Sequence, residues 1–302
     1  MPENNTIKAA IIGYGNVGKE VLDALEVAPD FTIAGVVRRD PFAEQPRELQ
    51  DIPVEGDIKA LGDVDVAILA LPSRLVGAEA EKLLARGIRT VDSFDIHNQI
   101  LAQHGKLDAV AKAHHSVAVL AAGWDPGSDS VVRTLMQAML PQGLTYTNFG
   151  PGRSMGHTVA VKAIEGVEDA LSLTIPKGTG LHRRMVYVKK NGLSSEEEIK
   201  QRILSDPYFS HDETHILFVE DIDVLQDVGH AVDMSRKGVS GKTHNQQVSF
   251  RMSINNPALT AQVMVASARA AMRLPSGAYI LPEIPVIDLL PGERSYWIDK
   301  LC

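Results

Sequence analysis

Cysteine is almost absent from this 302-residue chain, with one copy, Cys302, at the end. A disulfide within the chain is therefore excluded, and so is a zinc site built on thiolates. Long apolar runs are missing too. The longest, Val64 to Pro72, is interrupted by Asp65 and is about half the ~18 residues of a membrane span. The polar start, Met1 to Lys8, lacks the apolar core of a secretory signal, and we expect a cytoplasmic protein. Positive charge is not in excess. With 30 basic and 38 acidic residues the net charge is −8, which argues against nucleic acid or membrane as a partner. Ten histidines are present but none in H-E-x-x-H spacing, so no metal is expected. G-x-S-x-G is also missing, which argues against a serine hydrolase. Aromatic residues are only 5%, so both tryptophans, Trp124 and Trp297, are worth locating.

What is present is a soluble-protein composition, 44% hydrophobic and 23% charged, in a length that favours two domains. Up to about residue 125, short apolar runs alternate with helical patterns. The runs are Ile7 to Ile12, Phe31 to Val37, Val64 to Leu71, Arg89 to Phe94 and Val117 to Ala122. Between them lie apolar faces at helical spacing in Gly18 to Ala28, Leu75 to Ala85 and Gln99 to Ala113. Continuous apolar strands separated by helices predict βαβ units and a parallel sheet covered on both faces. After a further helix, Ser130 to Met139, the pattern becomes alternating at Leu171 to Ile175, Met185 to Val188, Ile216 to Val219 and Val248 to Ile254. Ser194-Ser195 followed by Glu196-Glu197-Glu198 predicts a helix start. Asn256-Pro257 opens a small-residue helix to about Met272. The expected fold is thus α/β. A Rossmann-type doubly wound parallel sheet spans 1–125 and is rejoined by 257–302, and an antiparallel α+β domain spans 126–256.

Gly13-Tyr14-Gly15-Asn16-Val17-Gly18 fits G-x-G-x-x-G, placed after a strand and opening a helix. In that context the first glycine permits the turn, the second lets a pyrophosphate approach, and the third lets helix pack on strand. A Gly-rich turn without a ligand is the competing reading. At the end of the second strand, where NAD enzymes place an acid, stand Arg38 and Arg39, followed by Asp40. Guanidinium groups pair with a 2′-phosphate, so NADP is expected.

Ligands of such sheets bind beyond the carboxyl ends of the strands. Leu71-Pro72-Ser73 is expected to line the nicotinamide pocket, and Asp92-Ser93 to contact the cofactor. Asp92, Asp95 and Asp125 would form an acidic mouth suited to ammonium groups. For each acid a turn or cap role competes, and Asp125 could cap a helix at Ser128. In the second domain His182-Arg183-Arg184, placed before a strand, could clamp a carboxylate. The residues alone point to an NADP-linked oxidoreductase acting on a zwitterionic amino acid.

Four segments carry a resemblance. They are Ile12 to Gly18, Val91 to His97, Gly123-Trp124-Asp125-Pro126-Gly127 and Gly150-Pro151-Gly152-Arg153-Ser154-Met155-Gly156-His157. Through them the chain resembles the meso-diaminopimelate D-dehydrogenase family over essentially its full length. The resemblance implies reversible NADP-dependent oxidative deamination at the D-centre of meso-2,6-diaminopimelate, in lysine biosynthesis. It also implies a homodimer held through the second, substrate-binding domain. Asp95, Trp124 and Asp125 would surround the reacting centre, and Met155 and Gly156 would close over the substrate. Phe149 would line the pocket. Thr174, Arg184 and His230 would hold the distal L-centre, with His244 as the alternative to His230, and Asn256 would contact substrate. The short connection Pro176 to Leu181 matches a subtype with broader D-amino-acid tolerance. The competing functions are a broader-specificity D-amino-acid dehydrogenase, a dihydrodipicolinate- or homoserine-type oxidoreductase, and a non-catalytic NADP-dependent sensor.

Overall fold

The two β-branched runs Ile7–Ile12 and Phe31–Val37 form adjacent parallel strands, β1 and β2, joined by α1 (Asn16–Glu26). The computed structural model describes residues 6–225 and 229–302, apart from the side chains of Met155 and His230. Past β2 come β3 (Val54–Glu55), β4 (Val66–Leu69), α2 (Ser73–Leu84), β5 (Arg89–Asp92), α3 (Ile100–Ala113), β6 (Val117–Val119) and α4 (Ser128–Met139). Then follow β7 (Gln142–Phe149), β8 (Gly152–Arg153), α5 (Met155–Lys162), β9 (Val167–Gly178), β10 (Leu181–Lys190), α6 (Glu196–Ser205), β11 (Glu213–Phe218), β12 (His230–Ser240) and β13 (Thr243–Ile254). The last elements are α7 (Asn256–Ala271), β14 (Gly277–Tyr279) and α8 (Arg294–Leu301).

The first sheet is parallel throughout, in the order β14-β6-β5-β4-β1-β2-β3. Strand alternation sends neighbouring residues of β1 into different cores. Ala9 and Ile11 pack with Val21, Leu22 and Leu25 of α1 and with Met264, Val265 and Ala268 of α7. Ala10 and Ile12 pack with Ala80, Leu83 and Leu84 of α2 and with Leu107 and Ala111 of α3. Because both faces are covered, β1 and β2 are largely apolar, with Lys8 and Thr32 as their polar exceptions near the strand starts. Each fully buried Leu or Ile contributes roughly 1.5–3 kcal/mol relative to exposure. Among the described residues no helix is long and apolar enough to cross a membrane.

The chain divides into two compact units, Met1–Thr134 with Pro257–Cys302, and Leu135–Asn256. The division falls inside α4, where the sequence reading places it at 125/126, because the helix runs on through that point.

The second unit holds two sheets, β11-β10-β9-β8 and β13-β12-β7. Their pairings are antiparallel as expected, with one exception: β10 pairs antiparallel with β9 but parallel with β11. The α6 helix links those two parallel strands and covers the sheet with Ile199 and Ile203, against Val186 and Val188. Its start is a reciprocal cap. The Ser195 hydroxyl accepts the Glu198 amide at 3.3 Å, and the Glu198 carboxylate accepts the Ser195 amide at 2.8 Å. His182, Arg183 and Arg184 lie within β10 rather than before it. The buried Arg236 of β12 donates to the Leu140 carbonyl at 2.7 Å and to the Thr145 hydroxyl at 2.8 Å, which ties the end of α4 to β7.

In the first unit, Arg269 of α7 fastens two distant segments. Its guanidinium pairs with both Asp30 oxygens, donates to the Leu289 carbonyl at 2.9 Å, and lies 5.3 Å from the Phe31 ring centre. Trp297 is accounted for nearby, since its indole N–H donates to the Pro291 carbonyl at 2.6 Å. Removing one partner of a buried ion pair strands the other charge. Arg269→Ala should therefore lower unfolding stability by about 3–5 kcal/mol in urea titrations. A loss below about 1 kcal/mol, the value of an exposed pair, would contradict this account.

Candidate functional site

The glycine loop is built by close backbone approach. Gly13 has φ +95°, and a Cβ there would stand 2.6 Å from the Ala70 carbonyl oxygen. A Cβ on Gly18 would stand 2.4 Å from the Gly13 carbonyl oxygen, so α1 can meet the strand only through glycine. Gly15 differs: a Cβ there would meet nothing within 4 Å, which leaves the loop open on its outer side. No side chain caps α1 and its first turn holds no acid, so its first amides suit an anion. Asn16 opens that helix, and Val17 packs half-buried on the core.

Beside the loop is a cavity of about 590 Å³ lined by Gly13, Tyr14, Arg38, Arg39, Leu71 and Pro72, among others. Arg38 Nη1 is buried there and has no hydrogen-bond partner. A stranded guanidinium nitrogen in a cavity fits a phosphate. Asp40 is spent locally, accepting the Phe42 amide at 3.1 Å. The Tyr14 hydroxyl donates to Glu48 at 3.3 Å, which orients the ring on the cavity wall.

At the strand ends, two residues expected to contact the cofactor, Asp92 and Ser73, also make hydrogen bonds within the protein. Asp92 is fully buried, and its Oδ1 accepts the amides of Phe94 at 2.9 Å and Ala121 at 3.2 Å. It therefore joins the loop after β5 to the loop after β6 through that oxygen, while Oδ2 has no hydrogen-bond partner among the described residues. Burial pushes its carboxyl up to about 6, against the pull of those two amides. Ser73 donates its hydroxyl to Asp95 Oδ1 at 2.6 Å and accepts the Asp95 amide at 3.3 Å. That pair fixes Asp95, whose residue is exposed at the end of the sheet. Ser93 is half-buried against Gly123, where a Cβ would stand 3.6 Å from its own Cβ.

The Gly123–Gly127 loop folds onto itself. The Gly123 amide donates to the Pro126 carbonyl at 3.1 Å, and the Ser128 amide to the Gly123 carbonyl at 3.1 Å. A Cβ on Gly127, at φ +145°, would stand 1.8 Å from the Gly123 carbonyl oxygen, so only glycine closes this turn. Trp124 is buried, with 6% exposure. Asp125 beside it has a side chain only 17% exposed and lies 3.9 Å from Arg133. Arg133 is engaged more closely by the buried Asp129, at 2.8 Å. Burial, and then the Asp129 charge, push the Asp125 carboxyl up to about 7, with Arg133 opposing. Asp125 is thus a hydrogen-bonding neighbour of Asp129 rather than a simple cap. Sequence reasoning missed Asp129 and Arg133 because an acid in a first helical turn reads as a dipole partner.

In the second unit, strand register gathers the other candidates. Phe149 pairs with Val232 on β12, where His230 pairs with Ile254, two residues before Asn256. Thr174 pairs with Gly152 on one side and Arg184 on the other. Met155 and Gly156 open α5 directly after β8. The side chains of Met155 and His230 lie outside the described residues. His244, the alternative to His230, is exposed beside the turn at the opposite end of the β12–β13 ladder. Arg184 donates from Nε to Asp212 at 2.7 Å and from Nη1 to the buried Thr174 hydroxyl. His157 stands between Ser154, at 2.8 Å from Nδ1, and Asp212, at 4.0 Å from Nε2. Burial, and then the Arg184 charge, lower His157 to about 4, so it is neutral near pH 7. His182 accepts the Phe149 amide at 2.7 Å and so supports the backbone at Phe149. Asp212 and His157 were not singled out from the sequence, since neither His211-Asp212-Glu213 nor a lone histidine signals its partner. Among the described residues no cluster of three His, Cys, Asp or Glu could hold a metal.

Comparison with known proteins agrees across both units. Residues 123–256 match the family described as Diaminopimelic acid dehydrogenase C-terminal domain, and residues 8–95 match Semialdehyde dehydrogenase, NAD binding domain. The chain is 58% identical to a meso-diaminopimelate D-dehydrogenase of Bacteroides fragilis, over 98% of this chain and 99% of that protein. It resembles the solved C. glutamicum diaminopimelate dehydrogenase in complex with DAP at a TM-score of 0.88 and 28% identity, covering 98% and 99% of the two chains. An engineered D-amino acid dehydrogenase bound to NADP+ aligns at a TM-score of 0.85 and 27% identity, covering 99% and 100%.

The carboxylate pair generates a direct test. Carboxyl ¹³C titration should show Asp125 changing charge near pH 7, well above an exposed aspartate. Asp129→Asn removes the neighbouring charge, so the Asp125 midpoint should fall. The folded-state pKa of Asp125 is raised. Its protonation therefore favours the fold at low pH, and that contribution is lost as pH rises from about 4 to about 7. A midpoint unchanged in Asp129→Asn would show that burial alone sets the shift.

Proposed function

The chain belongs to the meso-diaminopimelate D-dehydrogenase family, and from that premise we propose that it oxidises the D-centre of meso-2,6-diaminopimelate with NADP. One diaminopimelate, one NADP⁺ and one water give L-2-amino-6-oxopimelate, ammonium, NADPH and one proton. The reaction is reversible and serves lysine biosynthesis in the cytoplasm, and the working protein is a homodimer. The bound nicotinamide supplies the hydride acceptor; the chain supplies binding, orientation and proton handling. The observation that carries this reading is Asp125, a carboxylate whose affinity for a proton is raised to near neutrality at the ligand end of the sheet.

An amino acid must lose its ammonium proton before its Cα–H bond can give up hydride. Asp125 is matched to accept that proton, and Asp95, fixed by Ser73, orients the same nitrogen. Buried Trp124 excludes water beside them. The stranded Arg38 nitrogen and its neighbour Arg39 take the 2′-phosphate that distinguishes NADP. Gly13 to Gly18 receive the pyrophosphate, and Leu71 and Pro72 line the nicotinamide side. In the second unit Arg184 and Thr174 hold the distal carboxylate. Phe149, Met155, Gly156, His230 and Asn256 complete the substrate pocket.

The tight turn between β9, ending at Gly178, and β10, starting at Leu181, favours a second reading in which simple D-amino acids are also accepted. A panel of D-amino acids separates this from strict specificity.

NADPH formation followed at 340 nm should be fast with the meso isomer, slow with the DD isomer and absent with the LL isomer. Activity confined to the LL isomer would refute the assignment. Arg38→Ala combined with Arg39→Ala should remove charge-assisted bonds worth ~1.5–3 kcal/mol each. The KM for NADP should rise far more than that for NAD, and an unchanged ratio would assign those arginines elsewhere. Asp125→Asn should keep cofactor affinity and lower kcat by about 100-fold or more. Near-normal turnover would reduce Asp125 to a structural partner of Asp129.

A further inference from the structure

We propose that Asp212 recognises the second ammonium group of the substrate, at the distal L-centre, through its Oδ1, beside the carboxylate held by Arg184. The inference rests on the reading of meso-diaminopimelate as substrate and concerns the end of that molecule which does not react.

The geometry is a side-by-side anion and cation. Arg184 Nε donates to Asp212 Oδ2 at 2.7 Å, and its Nη1 donates to Thr174, so two of its three nitrogens are fixed. Its Nη2 makes no hydrogen bond among the described residues. Asp212 is held by its backbone, since its amide donates to the Phe209 carbonyl at 3.1 Å and its carbonyl accepts from the Thr214 hydroxyl at 3.1 Å. Its side chain keeps 29% exposure, and Oδ1 likewise makes no hydrogen bond among the described residues. The nearby imidazole of His157 is not a competing cation at neutral pH.

An α-amino-acid head carries an ammonium and a carboxylate on one carbon. The Arg184–Asp212 pair presents the complementary charges, locked at one spacing and each with an unfilled position. Arg184 alone would accept any distal carboxylate. With Asp212 beside it, a ligand bearing only the carboxylate covers Oδ1 without supplying a donor, and that loss of hydration counts against binding. The pair therefore selects a second amino-acid head over a bare acid.

The test compares meso-diaminopimelate with D-2-aminopimelate, which has the same length and distal carboxylate but no distal ammonium. Wild-type protein should prefer the first by 10-fold or more in kcat/KM. Asp212→Asn keeps an oxygen for Arg184 and turns an N–H toward the ammonium. It should cut kcat/KM for meso-diaminopimelate by about 10- to 100-fold, mostly through KM, and leave D-2-aminopimelate unchanged or improved. Equal losses on both substrates would mean that Asp212 only positions Arg184, and would overturn the proposal. No loss on either would overturn it as well. Thermal unfolding and NADP titration check the variant's fold. If it does not fold, the wild-type comparison still decides, because equal kcat/KM for the two substrates refutes recognition of the ammonium. Wild-type protein inactive on meso-diaminopimelate would instead refute the proposed function.

Discussion

A carboxylate that water cannot reach joins two loops at the carboxyl ends of the first sheet. Asp92 ends β5 with its side chain fully buried, and one oxygen gathers the amides of Phe94 and Ala121. Those amides belong to the segments that go on to Asp95 and to Trp124-Asp125. The Asp92 carbonyl adds a third tie, accepting the Ala122 amide at 2.7 Å. A charge in that position is expensive, and the upward shift of its pKa to about 6 records the expense. A serine or asparagine could not gather two amides on one charged oxygen, so the arrangement exchanges some stability for fixed loop geometry. The order β6-β5-β4 then places three consecutive strand ends side by side, and Ser73, at the start of α2, reaches across to Asp95.

The same desolvation acts in opposite directions on an acid of the first unit and a histidine of the second. It raises Asp125, so a carboxyl near neutral pH can exchange a proton, and it lowers His157, so an imidazole contributes no charge. At pH 7 the Arg184 cluster therefore holds one cation from Arg184 and one anion from Asp212, with neither altered by the histidine between Ser154 and Asp212. Burial, the largest cause in both, thus sets the charge state of each group.

What could be read in the sequence follows from where each piece of information resides. β1 and β2 have the limits of their apolar runs, because two covered faces leave only Lys8 and Thr32 as polar residues within them. The Gly13 to Gly18 loop was legible because each glycine answers a contact only a few residues or one strand away. In the second unit the alternation of β13 was visible, but β7, with its first four residues exposed, gives no period-2 signal. The parallel pairing of β10 with β11 depends on α6 crossing between them, which no local pattern records. Asp92 looked like a ligand residue because a strand-end acid has the same sequence appearance whether it faces in or out. Asp212 was invisible for a related reason: its meaning comes from Arg184, 28 residues earlier, and exists only once β10 and β11 are paired.

The end of β2 shows how a local turn can change what a site asks for. Asp40 follows the two arginines and could have competed for a ribose hydroxyl. One of its oxygens instead accepts the Phe42 amide, two residues on, which closes the turn after the strand while Asp40 still lines the cavity. The arginines there, Arg38 and Arg39, outnumber that one acid. Arg38 carries a buried nitrogen with nothing to bond, a standing cost in the ligand-free protein. An acceptor in the cavity relieves it, and a charged acceptor does so more strongly than a neutral hydroxyl. The turn thus engages one oxygen of the neighbouring aspartate and leaves the two arginines beside it on the same cavity wall.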